Sequence, residues 1–124
     1  MTKPVCSLAV LAALAVVPLA AHHSAAAEYD ASKLLVLNGT VAQFDWTNPH
    51  VHMHLTVRGI DWSLEMASPN GMRRQGWFPK TLNPGDRVTV EAYQAKDRAN
   101  GGKIHRVKIP GGRWLFVDST GPQD

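Results

Sequence analysis

The chain has 124 residues, a formal net charge of +3 at pH 7 and a single cysteine. That length fits one domain, and a lone Cys6 cannot form a disulfide within the chain. One of the positive charges, Lys3, lies in the first segment, and the remaining cations are dispersed, which leaves no basic stripe of the kind that tracks nucleic acid.

Met1–Pro4 carries Lys3, Val5–Val17 is almost wholly apolar, Pro18 interrupts the run and small residues follow. This is the pattern of a secretory signal peptide, and the apolar run is short for a membrane span. The expectation is export to the periplasm, with no membrane attachment after signal removal because no second apolar run follows. Cys6 precedes the apolar run and so is not placed as a lipid-anchoring cysteine. Three cuts fit small residues. A cut after Ala21 makes His22 the N-terminus, and one after Ala20 leaves Ala21-His22-His23. A cut after Ala27 matches the A-x-A rule best through Ala25 and Ala27, and discards both histidines.

Ser24–Ser32 is small and polar and reads as an extended arm. Leu34–Trp46 is apolar and β-branched and contains Asn38-Gly39. That dipeptide can make a hairpin turn, but few residues precede it, so one long strand bent at a glycine bulge is preferred. In His50–Val57, Val51, Met53, Leu55 and Val57 alternate with His50, His52, His54 and Thr56, the period of a half-buried strand with its imidazoles outward. Asn48-Pro49 places His50 where a loop becomes this strand. Arg58-Gly59 turns into a third strand, Ile60–Met66, with Trp62, Leu64 and Met66 on one side.

Ser68–Gly76 reads as a short helix: Ser68 caps, Pro69 suits the first turn and Gly76 the left-handed stop. Trp77 and Phe78 are expected to plug the core. Asn83–Asp86 is a turn before a fourth strand, Arg87–Tyr93. A polar loop over Lys96–Gly102 leads to a fifth, Lys103–Ile109, and Pro110–Gly112 turns into a short strand, Arg113–Val117. The predicted fold is all-β: a small OB-like β-barrel of five to six antiparallel strands with one short helix, preceded by a signal peptide and an extended arm. A small antiparallel sandwich is the alternative; either arrangement deals with exposed strand edges.

Ala21-His-His-Ser24, Thr47-Asn-Pro-His50, Ser68-Pro-Asn-Gly71 and Leu82-Asn-Pro-Gly-Asp86 occur in that order. With these motifs the chain resembles a bacterial family of small exported proteins classed only as a domain of unknown function. Its members carry a His-His-Ser motif directly after the signal peptide and an Asn-Pro-His motif in a compact β domain. The resemblance covers nearly all of the chain beyond the signal and implies a cut just before His22. The chain then divides into a signal peptide (1–21), an arm (22–33), a β-barrel domain (34–117) and a loose tail (118–124). The resemblance carries over His22, His23 and His50. His52 and His54 depart from it, standing where aromatic residues are expected in similar proteins. It implies no activity.

The residues themselves offer metal chemistry. An N-terminal His22 can bind copper through its amine and ring Nδ1, and one further imidazole completes a T-shaped brace; imidazole suits copper and zinc, and copper binds most strongly of the divalent series. His50 is the first candidate to complete it, with His23 or His52 as substitutes. If Ala21 is first, His23 becomes the third residue and gives an amino-terminal copper and nickel motif. Separately, residues two apart on a strand lie about 6.6 Å apart, so His50, His52 and His54 offer a zinc or copper site, or are simply solvated. His105 alternates with Val107 and Ile109 and is expected as a core histidine with one hydrogen-bond partner. Asp45, Glu65 and Glu91 have no partner apparent in sequence, and no nucleophile elbow, phosphate loop or zinc-protease motif is present. Trp46 is the tryptophan nearest the histidine loop. The resulting expectation is a non-enzymatic exported protein that handles a copper ion, with zinc as the alternative metal. The competing readings are a metal-free module for a periplasmic protein or small ligand, and a copper-dependent oxidase. Nucleic acid is not an expected partner.

Overall fold

The computed structural model describes residues 28–117; the expected signal peptide, Cys6, His22, His23 and the tail from Asp118 lie outside them. The order is β1 (Tyr29–Asp45), β2 (His52–Val57), β3 (Ile60–Glu65), a helix (Pro69–Arg74, here α1), β4 (Arg87–Ala95), β5 (Gly101–Lys108) and β6 (Trp114–Phe116).

β1 organises the sheet because it serves two neighbours. Tyr29–Thr40 pairs with β4 and Thr40–Asp45 with β2, so Thr40 faces both Arg87 and Thr56. Asn38-Gly39 is therefore inside one bent strand, not a hairpin turn. The bulge is not at Gly39, however. Pairing slips between Val41 and Gln43, and again between Asp30 and Leu34. The slip at Ala42 lets Val41 and Phe44 oppose Leu55 and Met53 on the same side of β2. Gly39 instead permits close approach: a Cβ there would lie 2.5 Å from the Thr56 carbonyl oxygen and 2.9 Å from the Leu55 side chain. The strand also starts earlier than Leu34, at Tyr29, because Tyr29 and Asp30 of the expected arm pair with Ala95 and Gln94 at the end of β4.

The sheet runs β3-β2-β1-β4-β5-β6, and β3 also pairs with β5. The first five strands thus form a ring, and β6 lies along the later part of β5. This is the expected all-β, OB-like order with one short helix between β3 and β4. The β3–β5 pairing is parallel, whereas the others are antiparallel. The reason is arithmetic: an odd-membered ring cannot reverse direction at every junction.

The inward face is set by alternation. Val51, Met53 and Leu55 are fully buried, and so are Leu64 and Met66 of the β3 segment. Each such side chain contributes roughly 1.5–3 kcal/mol of apolar burial. Arg58 and Gly59 form a two-residue turn with φ of 51° and 77°, the signs of a type I′ hairpin. Arg58 occupies a left-handed conformation that glycine or asparagine takes more easily.

Ser68 caps α1 by accepting from the Gly71 amide, and Met72 reaches the core. Trp77 is fully buried, and its indole N–H donates to the Phe116 carbonyl at 2.8 Å, which ties β6 to the core. Phe78, expected beside it, is 56 % exposed. Its backbone closes a turn with Thr81, which aims the side chain outward.

His105 is buried, as expected, but not on the side of Val107. Ala92 pairs with Ile104 and Glu91 with Arg106, so His105 is the extra residue of a bulge. Its ring lies 5.9 Å from Tyr93 and 5.5 Å from Phe116. The bulge explains how Ile104 and Val107 both face inward.

Candidate functional site

The outward face of β2 brings the histidines beside two carboxylates. His52 lies opposite Asp45 of β1 on one side and Glu65 of β3 on the other; His54 lies opposite Gln43 and Ser63. Directly opposed residues share a face, so Asp45, His52, His54 and Glu65 form one polar patch at this end of the ring.

His50 sits just before β2, after the Asn48–Pro49 peptide, which is cis. Its Nδ1 lies 2.9 Å from Glu65 Oε1. The other Glu65 oxygen accepts from the Tyr29 hydroxyl at 2.6 Å. One half-buried carboxylate therefore joins the beginning of β1 to the start of β2. His52 Nδ1 lies 3.1 Å from the His50 carbonyl oxygen, which can only accept, so Nδ1 carries the proton in that contact. His50 and His52 are thus both held through Nδ1, and in the neutral ring each Nε2 is then the lone-pair nitrogen. Holding the second ring nitrogen on a carboxylate or carbonyl is how metal-binding imidazoles are oriented. His54 differs: its Nε2 is 3.5 Å from Asp45 Oδ2, and Asp45 is also held by the Gln43 amide at 2.6 Å.

Among the described residues no three His, Cys, Asp or Glu side chains converge as a ready metal site. The structure brings His50, His52 and His54 to one face without joining them into one cluster. His105 lies elsewhere, between Tyr93 and Phe116. Trp46 is held by Phe44 (ring centroids 6.0 Å apart) and by the Arg73 guanidinium 5.5 Å from its ring, so it packs on the core's edge. Glu91, which has no sequence-evident partner, makes a two-pronged pair with Arg106 at 2.6 and 3.1 Å.

A model of a family of unknown function, DUF6152, matches residues 9–104, a span that includes all five candidate histidines and every strand except the last residues of β5 and the whole of β6. The chain belongs to DUF6152. No curated protein matches it. Two solved structures are similar to part of this chain: a crystal structure of TiaS in complex with a tRNA and ATP (18 % identity, TM-score 0.48, covering 65 % of this chain and 19 % of that one) and a ZRD-deleted mutant of TiaS in complex with agmatine (16 % identity, TM-score 0.48, covering 74 % and 24 %). The chain spans only about a fifth to a quarter of those chains, and a likeness of that size carries no functional argument. Among the described residues no helix is long and apolar enough to cross a membrane.

In this DUF6152 protein the two residues that sequence reasoning missed are Glu65 and Tyr29. Burial first, then the hydrogen bond and charge of Glu65, push the Tyr29 phenol up from 10.0 to about 12, against an opposing pull from Arg98. Tyr29 is therefore a neutral donor to Glu65 across the physiological range. Glu65 was legible in principle. Counting back from the two-residue turn at Arg58-Gly59 pairs Val57 with Ile60 and so His52 with Glu65. Tyr29 had no such signal, because its contact spans the whole ring.

Proposed function

We propose that this DUF6152 protein is an exported, non-enzymatic β-domain protein that binds one transition-metal ion, copper before zinc. His22 of the arm and His50 of the domain are the principal ligands; His23 and His52 are the neighbouring donors. The observation that carries this reading is the shared carboxylate. Glu65 holds His50 through Nδ1, which leaves Nε2 to bind, and the same carboxylate holds Tyr29, the residue at which the arm enters the sheet. His22 lies seven positions before Tyr29, a tether that reaches up to roughly 25 Å when extended. The arm's histidines are thus leashed to the face that presents His50. The donor set fits copper: imidazoles on a surface that also carries carboxylates, without thiolates. Glu65 and the His50 carbonyl orient the two rings, and Tyr29 fixes the arm's root.

Copper(II) affinity, measured by competition with a chromophoric chelator, tests this on protein beginning at His22. Adding one glycine before His22, or replacing His50 by Gln, is expected to weaken binding by at least about a hundredfold. Glu65→Gln should weaken it by about 10–100-fold through the ring it orients. Unchanged affinity on the glycine extension would contradict the N-terminal ligand. Unchanged affinity in His50→Gln would contradict the domain ligand.

A further inference from the structure

A second site lies at the other end of β2 from His52. Register alone assembles its floor. Thr56, Thr40 and Arg87 are directly opposed across β2, β1 and β4, and Asn38, Thr89 and Lys108 across β1, β4 and β5. These two rows share the outward face, because directly opposed residues point the same way and Val88 and Val90, which alternate with Arg87 and Thr89 on β4, are buried. The turn residue Arg58 and the Pro110–Gly112 turn complete the wall of a cavity of about 600 Å³.

The lining carries Arg58, Arg87 and Lys108 and no carboxylate. None of the three cations has an ion-pair partner among the described residues. Three acids flank the lining and each has a partner: Asp61 accepts from Thr56 Oγ1 at 3.2 Å, Asp86, next to Arg87 in the chain, accepts from the Asn83 amide at 2.9 Å, and Glu91 of the next row pairs with Arg106. The polar floor supplies donors as well. Thr89 Oγ1 donates to Asn38 Oδ1 at 2.8 Å, which leaves the Asn38 amide N–H groups to face a ligand. A second observation is independent of charge. Arg58 keeps a left-handed backbone (φ 51°) that glycine or asparagine would hold more easily. Strained residues of this kind gather at functional sites, and Arg58 lines the cavity.

The geometry points to an oxyanion-binding site that takes a phosphate-type group, with Arg58, Arg87 and Lys108 supplying charge and the Asn38 amide and Thr40 hydroxyl supplying hydrogen bonds. A guanidinium pair matches two oxygens of such a group at once, and the volume suits a small polyanion. The site does not depend on the metal reading, and neither His50 nor Glu65 lines it.

The test is a titration of the ¹⁵N-labelled full chain with inorganic pyrophosphate at low, fixed ionic strength. Saturable shifts are expected in the amides of residues 38–40, 56–58, 87–89 and 108–112 (Pro110 excepted). Arg58→Gln with Arg87→Gln, or Lys108→Gln alone, should each loosen the dissociation constant at least about tenfold. Arg74→Gln with Lys80→Gln removes charge elsewhere and should leave it unchanged. Sedimentation with phosphatidic acid and phosphatidylcholine vesicles separates the sources. Binding to phosphatidic acid alone, displaced by pyrophosphate, assigns a lipid headgroup; pyrophosphate binding without sedimentation assigns a free anion. Shifts that do not saturate, or an equal loss of affinity in the Arg74/Lys80 variant, overturn the site.

Discussion

Tyr29→Phe isolates the hydroxyl that ties the root of β1 to the histidine face. That hydroxyl donates to Glu65 at 2.6 Å and has its pKa raised from 10.0 to about 12, chiefly by burial and then by the Glu65 hydrogen bond and charge. The native state therefore keeps its proton at a pH where the unfolded chain has lost it. The stabilisation is fully present below pH 10 and is lost as the pH rises through 12. At about 1.4 kcal/mol per tenfold change in proton affinity, the ceiling is about 2.7 kcal/mol. The ring is buried but the hydroxyl is partly screened by solvent, so about 1–2 kcal/mol is expected. The assay is urea unfolding of wild type and Tyr29→Phe between pH 8 and about pH 12.5, with equal slopes required for the comparison. The stability of wild type relative to Tyr29→Phe should fall by about 1–2 kcal/mol between about pH 9 and about pH 12.5. A relative stability that stays constant or rises with pH would refute the linkage between Tyr29 and Glu65.

Three further substitutions probe the scaffold. Gly39→Ala places a Cβ 2.5 Å from the Thr56 carbonyl oxygen; a loss of about 1–3 kcal/mol in urea unfolding is expected, and a loss below about 0.5 kcal/mol would show that β1 and β2 do not approach that closely there. Trp77→Phe removes the donor to Phe116 and leaves space in the core; a loss of about 2–4 kcal/mol is expected, and a near-neutral thermal midpoint would contradict the tie to β6. Arg58→Asn relieves a left-handed residue and should raise stability by about 0.5–1 kcal/mol while weakening pyrophosphate binding; a variant that is less stable in urea than wild type would count against strain at Arg58.

Local pattern was enough to read β2, its buried methionine and leucine, the buried Val51 just before it, and its outward histidines, because alternation on a half-buried strand is a short-range signal. The α1 cap at Ser68 and the Arg58-Gly59 turn were legible for the same reason. Bulges were not. The extra residues at Ala42 and His105 shift the inward phase by one, and nothing in the flanking residues marks where the slip occurs. That is why His105 was expected beside Val107 and lies instead between Tyr93 and Phe116. The long-range partners of the site were equally hidden. Glu65 could be reached by counting from a turn, whereas Tyr29 meets it only because β3 closes onto β5 beside the start of β1. The three cations of the cavity are dispersed along the chain at 58, 87 and 108, and only the register of β1 against β2 and β4, and of β4 against β5, gathers them. The reading of dispersed charge was correct along the sequence and incomplete in space.

The central claim is that a histidine exposed at the N-terminus and His50 hold one copper ion. The most direct measurement is the intact mass and the copper(II) paramagnetic resonance spectrum of one sample, produced with its own leader and recovered from periplasm. The account predicts a mass beginning at His22, one copper per chain, and nitrogen couplings that change in His50→Gln. A mass beginning at Glu28, or a spectrum of stoichiometric copper that is the same in His50→Gln, would contradict it.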